Sequence, residues 1–156
     1  MLASSARGTH RHAPFGGMEM NDYTIQLVRE SFDLVTPIAP RTASVFYANL
    51  FEADPSLEPL FKGDLTQQGH KLMQMIAIAV GKLDDVPALV PALRQLGQRH
   101  AGYGVHDQHY ETVGAALIKT LGQGLGPSFT DEVKDAWIEV YGVLAGTMKS
   151  AAALRT

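Results

Sequence analysis

The 156-residue sequence contains no cysteine, which removes disulfides, thiolate zinc sites, iron–sulfur clusters and a cysteine nucleophile from consideration. Excess charge is also scarce. Thirteen basic and sixteen acidic residues leave a formal net charge of −3, without the positive field that a nucleic-acid surface needs, so nucleic acid is not an expected partner. Long apolar runs are missing too: the longest inside the domain, Met75 to Val80, is six residues against the ~20 that span a bilayer. No membrane insertion is expected, and a reducing, cytoplasmic location is. There is no Gly-Lys-Ser/Thr phosphate loop, no His-Glu-x-x-His and no Gly-x-Ser-x-Gly elbow. The glycine run from Gly122 to Gly126 follows a helical pattern instead of a strand, which argues against a dinucleotide loop. What remains is a chain that is 46% hydrophobic, enough for one domain that buries roughly 70% of its unfolded surface.

Residues 1–20 hold Arg7, His10, Arg11, His12 and Pro14 ahead of the first acidic residue, Glu19. They read as a disordered N-terminal tail, followed by one helical domain over 21–150 and a short C-terminal tail over 151–156. From Asn21 onward apolar residues recur at helical spacing and no segment alternates with the period of a strand, so the fold class is all-α. An Asn21/Asp22 cap opens a helix with Ile25, Val28, Phe32 and Val35 on one stripe. Thr36-Pro37 signals a second helix running to about Phe51. Asp54-Pro55 opens a short helical turn that ends at Leu60-Phe61. The next helix, about 66–83, carries Leu72, Met75, Ile76, Ala79 and Leu83 inward, with Gln68 one turn before Leu72. Asp84, Asp85, Pro87 and Pro91 are expected to break the chain before a helix over about 91–101 with Leu93, Leu96 and His100 inward. A further helix over about 107–122 presents Tyr110, Val113, Leu117 and Leu121. The last starts at a Ser128 or Thr130 cap and carries Val133, Trp137, Val140, Leu144 and Met148.

Four polar side chains, Tyr47, Gln68, His100 and Tyr110, fall on stripes that the periodicity assigns to the interior. Any one alone is compatible with a hydrogen-bonded core residue. Four together point to a polar object in an apolar pocket, because each buried group left unsatisfied costs about 1–3 kcal/mol. A single imidazole cannot complete a zinc site, which wants three or four protein donors. A metal already held in a macrocycle needs one axial ligand, apolar walls and a few donors on the opposite face, and haem meets that description. The pair His106 and His109 has no third ligand in reach and reads as a solvated face. His70 is expected at the rim or in solvent.

Several segments together resemble the globins, and more narrowly the haem domain of flavohaemoglobins and the single-domain bacterial globins. They are Val45-Phe-Tyr-Ala-Asn-Leu-Phe51, Pro55-Ser-Leu-Glu-Pro-Leu-Phe61, Gln68-Gly-His-Lys-Leu72, Pro87-Ala-Leu-Val-Pro-Ala-Leu93 leading to Arg99-His100, His109-Tyr110-Glu-Thr-Val-Gly114 and Ala136-Trp-Ile-Glu-Val-Tyr-Gly-Val-Leu-Ala145. The resemblance covers about 22–148. It implies a globin fold, haem b as cofactor, His100 as the proximal iron ligand and Phe61 as the ring packed on the haem. It assigns Tyr47 and Gln68 as distal residues that stabilise the bound ligand, with Leu72 as the distal apolar contact. Met75, Ile76 and Leu96 join the haem-lining set through their inward stripes, Val105, Tyr110 and Val113 line the proximal side, and Lys71 reaches a propionate. The partners it implies are oxygen, nitric oxide and carbon monoxide, with an unidentified reductase as electron donor.

In flavohaemoglobins a glutamate of the last helix supports the proximal tyrosine, and alignment through Tyr141-Gly-Val-Leu puts Ala152 there. The leading expectation is reversible oxygen binding for storage or transport. The alternative is a nitric oxide dioxygenase that forms nitrate with an external reductase. A haem-free helical interaction module is the third reading.

Overall fold

The computed structural model describes residues 20–153; of the expected tails, 1–19 and 154–156 lie outside them, while Ala151, Ala152 and Ala153 continue the last helix. Among the described residues there is no strand. Six α-helices follow one another: α1 (Asp22–Val35), α2 (Ala39–Ala53), α3 (Leu65–Gly81), α4 (Val86–Gly102), α5 (Asp107–Leu125) and α6 (Asp131–Ala153). Short 3₁₀ turns join them at Thr36–Ile38, Pro55–Leu60, Leu83–Asp85 and Gly126–Ser128. No helix among the described residues is long and apolar enough to cross a membrane.

Local chemistry explains most of the boundaries. The Asn21 side chain accepts from Thr24 N–H at 2.8 Å, Asp64 accepts from Thr66 N–H at 2.9 Å, and Thr130 accepts from Val133 N–H at 3.2 Å. Each satisfies a donor that a helix start leaves open. Two helix starts differ from expectation. Thr36-Pro37 forms a 3₁₀ turn, so α2 begins only at Ala39, where Pro40 occupies the first turn. Further on, α4 starts at Val86, not near Pro91, and runs straight through that proline. Pro91 removes one intrahelical bond, but Leu89 and Leu93 on either side are buried, and α4 makes its most extensive packing against α6. Tertiary burial outweighs the local penalty.

The main core lies among α1, α2, α3, α5 and α6, built on Val28, Phe32, Val35, Val80, Leu83, Trp137 and Val140. A buried hydrogen bond crosses it: Trp137 Nε1 donates to Ser31 Oγ at 2.8 Å. Between α2 and α5, Asn49 Nδ2 donates to Thr120 Oγ1 at 3.0 Å and to Gln123 Oε1 at 2.9 Å. Arg29 of α1 donates to the carbonyls of Val80 and Gly81 at the end of α3 and pairs with Asp84 at 3.1 Å. Its charge suits the negative end of that helix.

Candidate functional site

Two smaller clusters flank this core, and α3 and α5 contribute to both. The first holds Phe46, Tyr47, Leu50, Leu57 and Ala116, with Phe51, Phe61, Leu72 and Val113 packed against it. The second holds Leu89, Leu93, Tyr110, Ala145 and Met148, with Ala79, Leu96, Val105 and Tyr141 against it. Leu72 and Ala79 leave α3 toward one cluster each, as Val113 and Tyr110 leave α5, so both clusters are built along the same pair of helices.

The first side is aromatic. The Tyr47 ring meets Phe46 edge-on at 5.3 Å, Phe61 edge-on at 5.5 Å and Phe51 in a stacked arrangement at 6.0 Å between centroids. Edge-on contacts of this kind suit the ring quadrupoles and lock the phenol in place. Its neighbour across the helix pair is Gly69, where a Cβ would sit 2.9 Å from Ala43 Cβ and 3.6 Å from Tyr47 Cε2. Burial pushes the Tyr47 hydroxyl above its ordinary pKa, so it stays protonated and able to donate near neutral pH. Gln68 is half-buried, and its amide nitrogen donates to the Lys62 carbonyl at 2.5 Å. One of its two N–H donors is thus spent on the loop before α3.

On the second side, His100 sits in the last turn of α4 with its ring stacked near that of Tyr110, 6.2 Å between centroids and 22° between planes. Burial pushes the imidazole pKa down; the Leu96 carbonyl one turn back opposes this without reaching hydrogen-bond geometry, and the Arg99 charge adds to the lowering. The ring is held neutral. Both His100 Nδ1 and the Tyr110 hydroxyl are buried with no hydrogen-bond partner among the described residues. Ala152 is half-buried and brings no acceptor to Tyr110. The α4 backbone is held very close to α6: a Cβ on Gly97 would lie 2.3 Å from the Met148 carbonyl oxygen. Tyr141, which the stripe pattern in the sequence did not single out, donates its hydroxyl to the Tyr110 carbonyl at 2.6 Å.

Of the expected site residues, Tyr47 and Tyr110 are buried, and Phe61, Gln68, Leu72, Ile76, Leu96, His100, Val105 and Val113 are half-buried. Lys71 is exposed. Against the inward placing its stripe predicts, Met75 is 41% exposed, and the buried seam of α3 runs through Gly69, Met73 and Val80, with Ile76 half-buried. Gly69 lets α3 approach Ala43 of α2 closely, and Met73, one turn further on, faces the core. His70 is exposed and contacts Gln74, as expected. His109 is used locally, since its Nδ1 accepts from the His106 backbone N–H at 2.9 Å at the start of α5. Among the described residues no three His, Asp or Glu side chains cluster as a metal site, and His10 and His12 lie outside those residues.

The sequence matches the globin family over residues 44–148. It is 32% identical over 135 residues to a flavohemoprotein of Xylella fastidiosa strain Temecula1, and 31% identical to one from strain 9a5c of the same species. In both cases the match takes in 85% of this chain but only 34% of the relative, so the chain spans about a third of their length. Among solved structures, an engineered carbene transferase from Rhodothermus marinus, whose name also carries that of a nitric oxide dioxygenase, superposes with a TM-score of 0.78 at 30% identity. That superposition covers 86% of this chain and 94% of the other. A bacterial globin of Campylobacter jejuni superposes with a TM-score of 0.77 at 21% identity, covering 86% and 97% of the two chains.

Proposed function

The chain belongs to the globin family, and on that premise we propose that it holds haem b through His100 and reversibly binds oxygen and other diatomic gases. Haem, when bound, would supply an iron that the His100 imidazole can hold and that can take up a diatomic gas. The residues present fit that group. The observation that carries the reading is His100: a neutral imidazole in the last turn of α4, with a buried and unpartnered nitrogen, beside apolar side chains that are only half-covered by protein. A purely structural histidine would have its buried nitrogen satisfied.

The other residues divide the remaining roles. Leu72, Ile76, Leu96, Val105, Val113 and Phe61 form the apolar walls that exclude water. Met75 is proposed at the open edge of that wall, and Lys71 at the surface beside it. Tyr47, protonated and braced by three phenylalanines, supplies an O–H donor on the side opposite His100. Gln68 becomes a second donor once its amide leaves the Lys62 carbonyl, so its contribution is set against the loss of that loop contact.

A second reading, oxidation of nitric oxide to nitrate with electrons from a separate reductase, is favoured by the 30% identity to the Rhodothermus marinus protein. The absorbance spectrum of the purified chain with added haem tests the first reading. A Soret band that His100→Ala shifts or abolishes is expected, and a colourless protein would sink it. Repeated nitric oxide consumption with a generic flavin reductase would select the second over simple binding.

A further inference from the structure

We propose that His109 is a proton-sensitive latch on the first turn of α5: neutral, it caps that turn, and protonated, it lets go and turns to the Asp54 carboxylate. The latch is a ring of two bonds between residues 106 and 109. The His106 backbone N–H donates to His109 Nδ1 at 2.9 Å, and the His109 backbone N–H donates to the His106 carbonyl at 2.9 Å. An Nδ1 that accepts from an N–H must present its lone pair, so the proton of the neutral ring sits on Nε2. A second proton can enter only at Nδ1, where it would point at the donor it faces. Protonation and capping therefore exclude each other.

The surroundings give the released ring a partner. The Asp54 carboxyl, at the turn after α2, is held low first by its bonds to Ser56 and further by the positive charge on His109, so the two side chains lie within electrostatic reach. Asp107 adds a second negative group in the first turn of α5. The His106 ring, 5.2 Å away between centroids and tilted by 35°, would oppose the charge on His109 only if it were protonated too. The latch holds the turn that carries the next residue, Tyr110, whose buried ring stacks near that of His100 at 6.2 Å. On the other side of the latch, the Val105 N–H donates to the His100 carbonyl at 3.0 Å. Acid thus loosens the α5 side of the His100 region. The capping bond contributes fully while His109 is neutral and is lost as pH falls through the range in which imidazoles titrate.

The test reads the latch itself before haem is added. Long-range proton–nitrogen correlation spectra at neutral pH are expected to show His109 as the Nε2–H tautomer. On acidification to about pH 5, where imidazoles are protonated, the His106 amide should lose about fivefold of its exchange protection beyond the intrinsic pH effect, the size that one capping bond sets. Glutamine at this third helical position accepts from the capping N–H without titrating. His109→Gln should therefore keep the protection at both pH values, and His109→Ala should lack it at both. An Nδ1–H tautomer at neutral pH, equal protection of the native chain at both pH values, or the same acid loss in His109→Gln would overturn the proposal. Its consequence for haem rests on the proposed function: acid should speed haem loss about fivefold more in the native protein than in His109→Gln. Equal acceleration in the two would overturn the link from the latch to His100. A native chain that takes up no haem would instead count against the gas-binding reading, while the amide protection still decides the latch.

Discussion

In the main core each buried polar side chain has a partner, whereas beside His100 two of them do not. Thr24, Ser31, Thr42, Asn49 and Thr120 are all buried and all hydrogen-bonded, Thr24 to Glu139, Asn49 to Thr120 and Gln123, and the hydroxyls of Ser31, Thr42 and Thr120 to backbone carbonyls. His100 Nδ1 and the Tyr110 hydroxyl are buried and unbonded. A net hydrogen bond is worth about 1 kcal/mol, and an orphaned buried group costs about 1–3 kcal/mol. The first region therefore minimises its free energy by itself, and the second carries a standing penalty that a ligand in contact with it can relieve. On the proposed function, that difference separates a part of the molecule that serves stability from the part that holds the haem.

The comparison can be broken most decisively at its ligand. His100→Ala is expected to remove normal haem ligation, read as loss of the iron–histidine stretching band and collapse of the Soret absorbance, while the haem-free chain still folds. A close second is Gly97→Ala, because the new methyl would lie 2.3 Å from the Met148 carbonyl oxygen and backbone must move. Overpacking of this kind costs about 1–3 kcal/mol, measurable as a lower urea midpoint. An unshifted midpoint would show that α4 and α6 can separate freely. Asn49→Ala should destabilise by about 1–3 kcal/mol, since it strips Thr120 and Gln123 of a donor in a buried setting.

The sharpest contrast is between that substitution and Tyr110→Phe. Deleting a hydroxyl that has no partner should leave the haem-free chain equally stable or slightly more so, by up to about 1 kcal/mol. A large loss of stability there would mean that the hydroxyl is satisfied after all. Tyr47→Phe keeps every ring contact, so its stability change should be smaller still; its effect should appear as faster oxygen release in stopped-flow displacement. Least of all, Asp54 accepts from Ser56 N–H and Oγ at the turn leading toward Phe61, and those bonds hold its carboxyl below the usual range. Being lowered in the folded state, it adds stability above its ordinary pKa of 3.8 that is lost as pH falls through the folded value. Asp54→Asn should flatten that last part of the acid melt.

Much of this was legible in the residues. The stripes of α1 and α6, the caps at Asn21 and Thr130, and the inward placing of Tyr47 and Tyr110 follow from short-range periodicity and side-chain chemistry. The failures have physical causes. Pro91 reads as a break because local propensity cannot count the burial of Leu89 and Leu93 against α6. Met75 reads as inward because its stripe with Leu72 and Ala79 is as apolar as the true seam through Gly69, Met73 and Val80. Tertiary packing, the close approach of Gly69 to Ala43 included, chooses between them. Tyr141 sits one turn after Trp137, at the edge of the α6 stripe, so its position was visible but its partner was not.

By itself the sequence determined the helix order, the polar side chains that must face inward, and the single imidazole available among them, because each of these depends on neighbours a few residues away. The tertiary structure alone decided which polar atoms are paired and which are left open. Trp137 finds Ser31 across 106 residues and Asn49 finds Thr120 across 71, and no periodicity encodes such pairings. They exist because packed helices bring distant donors and acceptors within ~3 Å in a medium where water cannot substitute, and the same packing leaves His100 without a partner for its buried nitrogen.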